Sequence, residues 1–134
     1  MSILALDHVN VRSRDPKATL AFFRDVLLMK VAGPMGGAPR EDGGWVYDDN
    51  DLPIVHIGSA NERYPMDERI AFTPAEGSGA IHHVALRCSD FDGTKARLQS
   101  LGIGFTENDV PQVSLHQLFV SDPNGITLEL NFKS

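Results

Sequence analysis

Two histidines stand side by side in AIHHVALRCSD, residues 80–90, a stretch that otherwise reads as a buried strand. Three more lie at His8, His56 and His116, and one glutamate, Glu129, sits between Leu128 and Leu130. Imidazole and carboxylate are side chains that exchange protons and bind first-row divalent metals. A lone histidine in an apolar strand is more often a hydrogen-bonded structural residue, so spacing has to decide. His8 and His83 stand 75 residues apart, and His56 and Glu129 stand 73 apart. That regularity is not the mark of scattered structural histidines. Glu129 would otherwise be a carboxylate on a largely apolar strand with no obvious partner.

The regularity belongs to a repeat. LDHVNVRSRDPKATLA aligns without a gap on IHHVALRCSDFDGTKA, so that His8 meets His83, Val9 meets Val84, Arg12 meets Arg87, Asp15 meets Asp90 and Thr19 meets Thr94. Each copy opens with the period-2 alternation of a half-buried strand. Asp15 followed by Pro16 is an N-cap with proline at the first helical position, and Phe22, Phe23 and Leu27 recur at helical spacing. Asp90 caps FDGTKARLQSL in the same way, and Gly102 stands where that helix ends. Three strand-like runs follow each helix: KVAGP, GWVYDD and PIVHIG, then GFTEND, LHQLFVSD and ITLELNF, the last two joined by a DPNG turn. The reading is an α+β single domain over residues 1–134, built of two β-α-β-β-β repeats at 4–60 and 79–134 with a linker at 61–78. His83, not His82, aligns with His8, and alternation sends His82 to the opposite face.

Bulk properties narrow the classes of function. A net charge of −6, with basic residues scattered singly, argues against a nucleic-acid partner and against an anionic membrane surface. Cys88 is the single cysteine, which rules out an intrachain disulfide. No apolar run approaches the roughly 20 residues of a spanning helix, and the first residues reach charge too soon for a signal peptide. The expectation is a cytoplasmic protein.

The repeats, with a histidine in the first strand of each and a glutamate after DPNG, resemble the vicinal oxygen chelate superfamily of glyoxalases, bleomycin-resistance proteins and extradiol dioxygenases. LDHV, IHHVALRCSDFD and DPNGITLELNF carry the resemblance in order. It implies a curled, glyoxalase-like mixed sheet of two half-barrels, a homodimer, and sites shared between chains. It also implies one divalent transition metal per site (Zn, Fe, Ni, Mn or Co) held by His8, His56, His83 and Glu129, with Glu129 also moving a proton. His56 stands where many members carry a glutamate; a second-shell base is its alternative role. His116 is read as a proton shuttle lining the pocket or, alternatively, as a solvent-facing strand residue.

Three functions follow from the resemblance. The first is a metal-dependent lyase or isomerase that chelates a small oxygenated carbonyl or hydroxy substrate. An extradiol ring-cleaving dioxygenase needs only the facial triad of His8, His83 and Glu129. A bleomycin-resistance type of binder would hold its small molecule without metal. Arg12 and Arg87, repeated like the histidines, either anchor a substrate anion or buttress the sheet through carboxylates, and the second role is favoured. Trp45 and Tyr47 read as pocket or core walls and Cys88 as a small buried residue.

Overall fold

The computed structural model describes residues 1–134, apart from the side chain of Met35. The chain divides into two compact units, Met1–Pro74 and Ala75–Ser134. The first holds β1 (Val9–Ser13), α1 (Pro16–Ala21), β2 (Lys30–Ala32), β3 (Gly44–Tyr47) and β4 (Pro53–Ser59). The second holds β5 (Val84–Cys88), α2 (Phe91–Ser100), β6 (Thr106–Val110), β7 (Leu115–Ser121) and β8 (Thr127–Lys133). This is the expected α+β order, β-α-β-β-β taken twice.

Each unit makes its own four-stranded mixed sheet, in the order β1-β4-β3-β2 and β5-β8-β7-β6. The first and last strands of each unit pair in parallel and the others antiparallel. Registers match as well as orders: Asn10 lies opposite His56, and Ala85 lies opposite Glu129. His56 and Glu129 therefore occupy the same rung of two equivalent ladders. Across the next strand they face Trp45 and Phe119.

Alternation sorts each sheet into two faces. Val46, Val55 and Ile57 are buried on one face of the first sheet, together with Leu20 and Phe23 from the helical segment. In the second unit Leu118, Val120, Leu128, Leu130 and Phe132 are buried, with Leu98 from α2. The opposite faces carry His8, Asn10, Arg12, Trp45 and His56 in one unit, and His83, Gln117, Phe119, Glu129 and Asn131 in the other. The apolar set is committed to the core, which leaves the polar set to the open face.

Both helices are capped as expected: Asp15 accepts from the Ala18 N–H and Asp90 from the Gly93 N–H, each at 3.0 Å. The first helix is less regular than its spacing predicts. After Ala21 it widens into a π-helical turn over Phe22–Val26, closed by the Leu27 N–H on the Phe22 carbonyl. The widened turn shifts the phase of the helix, and the adjacent rings of Phe22 and Phe23 both stay buried, edge to face at 5.8 Å. The first strands also start later than expected. β1 begins at Val9 and β5 at Val84, so His8 and His83 each stand one residue ahead of the paired strand. No helix among the described residues is long and apolar enough to cross a membrane.

Gly43, at φ +146, has the Ile57 carbonyl oxygen 1.9 Å from where a Cβ would stand. Gly102, at φ +68, has open space there. Gly43→Ala should therefore cost about 2–3 kcal/mol through combined strain and clash, against about 1 kcal/mol for Gly102→Ala from strain alone. Urea midpoints of the two variants test this ranking.

Candidate functional site

In the second unit the register brings two candidate residues into contact. His83 Nε2 lies 2.8 Å from Glu129 Oε2, with the Glu129 side chain only 12% exposed. The other carboxylate oxygen, Oε1, accepts from Gln117 Nε2 at 2.8 Å. Gln117 is itself fixed, donating also to Asn131 Oδ1 and accepting from Asn108 Nδ2. Phe119 presents its ring edge-on to His83, with centroids 6.2 Å apart. It also walls a shallow, open depression lined by Ile103, Phe105, Thr106, Ser121 and two glycines, none of them ionisable.

The first unit brings together His8, His56 and Trp45. The His56 ring stacks on Trp45 at 4.1 Å and 8°, and His8 meets the same indole edge-on at 5.0 Å. The two imidazole centroids are 6.4 Å apart. His8 Nδ1 is engaged by Asp7 Oδ2 at 2.5 Å, a carboxylate–imidazole pairing that leaves its Nε2 as the lone-pair nitrogen. Asn10 Nδ2 lies 3.1 Å from His56 Nδ1 and donates to the His56 carbonyl, also at 3.1 Å. Arg12 Nε donates to Asn10 Oδ1 at 3.3 Å. Burial first, then the electrostatic influence of the neighbouring His8 and Arg12, hold the His56 pKa below its ordinary value.

Each unit thus supplies two candidate donors, and within neither are three His, Cys, Asp or Glu side chains grouped to hold a metal ion among the described residues. The donor types fit one: imidazole nitrogens and a carboxylate suit any of the first-row divalents, and His8, with Asp7 on its Nδ1, shows the usual second-shell pattern.

Two expectations need correction. His116 does not join His83 and Glu129. It lies opposite Phe132 on the α2 side of the sheet, its Nδ1 2.7 Å from Asp109 Oδ1 and its ring 5.1 Å from Phe91. The cause is parity, since Phe119 shares the rung of Glu129 and His116 is an odd number of residues away. His82 does not turn away from His83. Its Nδ1 lies 2.9 Å from His83 Nδ1, because residues 81–83 precede the strand and strict alternation does not yet hold there.

The repeated arginines part company. Arg12 makes a two-pronged pair with Asp67, at 3.0 and 3.2 Å, beneath the rings of Tyr64 and Phe72. It buttresses β1 against residues 64–72, as favoured. Arg87 is exposed and has no carboxylate partner among the described residues. Cys88 is part-buried, and burial pushes its thiol pKa up. Asn10, Asp67 and Gln117 carry the networks and were not singled out by spacing. Gln117 alone had a signal, sharing the parity of Phe119.

A family model described as the Glyoxalase/Bleomycin resistance protein/Dioxygenase superfamily matches residues 5–130. No curated protein sequence matches the chain. Among solved structures, a glyoxalase/dioxygenase from Nostoc punctiforme is 17% identical with a TM-score of 0.69, covering 100% of this chain and 98% of that one. A lactoylglutathione lyase from Agrobacterium tumefaciens is 17% identical with a TM-score of 0.65, over 96% and 92% of the two chains. A genomically encoded fosfomycin resistance protein from Listeria monocytogenes is 15% identical with a TM-score of 0.66, over 99% and 96%. At such identities the likeness is one of fold.

The Arg12–Asp67 pair has a pH signature. The hydrogen bond from Arg12, and then that from the Tyr64 N–H, lower the Asp67 pKa. A lowered folded pKa means stabilisation that is complete above the ordinary aspartate value of about 3.9 and is lost as pH falls through the folded value. Asp67→Asn should therefore unfold at lower urea than wild type at pH 7, and the two midpoints should converge in acid, once pH falls through the lowered folded value. A difference that persists unchanged into acid would show that the pair contributes through packing instead of charge.

Proposed function

The chain belongs to the Glyoxalase/Bleomycin resistance protein/Dioxygenase superfamily, and from that premise we propose a metal-dependent enzyme of the glyoxalase type, acting on a small oxygenated carbonyl or hydroxy substrate by proton transfer. The observation that carries the reading is the His83–Glu129 contact at 2.8 Å, with the second carboxylate oxygen held independently by Gln117. His83 and Glu129 are the proposed ligands in the second repeat; within the first repeat, His8, with its lone pair at Nε2, is the candidate donor.

A divalent ion bound there supplies Lewis-acid stabilisation of negative charge developing on a substrate oxygen. The chain supplies the rest. Gln117 donates to Oε1 and so fixes the plane of the Glu129 carboxylate whatever happens at Oε2. Oε2 is then the oxygen that exchanges its partner: it meets His83 in the resting state and takes a proton from the substrate when that contact opens. Phe119 shields the contact from water on one side. His116 has no part in this, being on the opposite face.

A second reading, a non-catalytic small-molecule binder, draws on the depression beside Phe119. It is a shallow depression open to solvent, and no ionisable side chain lines it. The ring-cleaving dioxygenase shares the ligand types of the first reading and is told apart from it by oxygen uptake. A homodimer and a cytoplasmic location belong to the proposal, and light scattering tests the dimer.

Metal content of the purified protein tests the main reading. Wild type should carry about one divalent ion per chain by plasma mass spectrometry. His83→Ala and Glu129→Gln should lose it, and His82→Ala should keep it. Absence of metal under every loading condition would turn the conclusion to the binder. Gln117→Leu should weaken metal affinity about 10- to 100-fold while leaving the ligands in place, as outer-shell changes do.

A further inference from the structure

We infer that His56 is held as the neutral tautomer with its proton on Nε2, serving as a hydrogen-bond donor to a ligand oxygen and standing outside the metal's ligand set.

Two groups around Asn10 have hydrogen-bonding roles that are not free. Arginine only donates, so the contact of Arg12 Nε at 3.3 Å makes the Asn10 atom facing it the carbonyl oxygen. A backbone carbonyl only accepts, so the Asn10 atom 3.1 Å from the His56 carbonyl is the amide nitrogen. The two constraints agree on one orientation of the Asn10 amide. That same Nδ2, a donor, lies 3.1 Å from His56 Nδ1. His56 Nδ1 must then accept, and the proton of a neutral imidazole goes to Nε2. A cationic ring would set two N–H groups against each other at Nδ1.

Arg12 is itself not free to move. The two-pronged pair with Asp67 and the rings of Tyr64 and Phe72 hold the guanidinium. The chain Asp67, Arg12, Asn10, His56 therefore runs from a residue outside the sheet to one nitrogen on its open face. Trp45, stacked at 4.1 Å, fixes the ring plane.

His8, on the same face, is set the other way. Its Nδ1–H donates to Asp7, which leaves the lone pair on Nε2. The unit thus presents one histidine as a lone-pair donor suited to a metal and one as an N–H donor suited to an oxygen. A metal needs a deprotonated nitrogen, and at His56 that nitrogen is already occupied by Asn10. The donor role toward a chelated oxygen rests on the metal-dependent reading above; the tautomer does not.

Long-range 15N–1H correlation spectra of the metal-free protein, with the His56 signals identified by their loss in His56→Gln, read the tautomer directly. The expected pattern is protonation at Nε2. In Asn10→Asp, where a carboxylate takes the place of the amide donor, the proton should move to Nδ1. Protonation at Nδ1 in wild type, or a pattern unmoved by Asn10→Asp, would overturn the assignment. Zn²⁺ titration tests the ligand set: affinity should stay within twofold in His56→Gln, and a loss of tenfold or more would make His56 a ligand. With Zn²⁺ bound, oxalate as an oxygen probe should bind about tenfold more weakly to His56→Leu and near wild-type strength to His56→Gln, which keeps an N–H. Equal weakening in both would remove the donor role. If wild type binds no Zn²⁺, the metal-dependent reading fails, and the tautomer still stands or falls on the spectra.

Discussion

Parallel pairing of the first and last strand in each unit is the constraint on which everything else rests. It places Asn10 against His56 and Ala85 against Glu129, and so decides which side chains can meet. A slip of one residue in either ladder would move His56 or Glu129 to the helix side and bring Val55 or Leu130 to the open face. The apolar residues prevent that slip. Val46, Val55 and Ile57 in one sheet, and Leu118, Leu128 and Leu130 in the other, are almost wholly buried and would all have to be exposed together. The polar chemistry of the open face is thus held in register by the packing of the opposite one.

The repeats share this frame but have diverged in what they hang on it. On the same rung one has an imidazole and the other a carboxylate, each backed by an aromatic ring one strand further on. Their supports differ accordingly. Glu129, an acceptor, is met by donors from Gln117 and His83. His56 is met by Asn10, and Asn10 in turn by Arg12. Ala85, at the place of Asn10 in the second repeat, makes no polar contact, and Arg87 lacks the partner that Arg12 has. One scaffold therefore presents two chemically distinct halves without changing its backbone.

Alternation and capping make most of the fold readable in the chain itself. Asp15 and Asp90 announce the helices, Val-rich runs mark the strands, and the offset of the repeats predicts that His56 and Glu129 are equivalent. The parity that removes His116 from the site is also written there, since Leu118 and Val120 share its face and are core residues. What spacing does not reveal is long-range polar pairing. Asp67 lies 55 residues from Arg12 in a segment that reads as a linker, and nothing in its neighbourhood marks it as a partner. Nor does spacing foresee the behaviour of His82, because the period-2 rule applies inside a strand and residues 81–83 are not in one.

The separation between paired strands bears on how the chain acquires its structure during synthesis. His56 is 46 residues from its rung partner Asn10, so β1 has no parallel neighbour until β4 has emerged from the ribosome. Closing a loop of that length costs only slightly more than closing one half as long. Each sheet draws all four of its strands from its own unit. The first sheet can therefore be complete, with Arg12 seated on Asp67, before the second has formed, and residues 1–74 already contain every residue that sets the proton on His56.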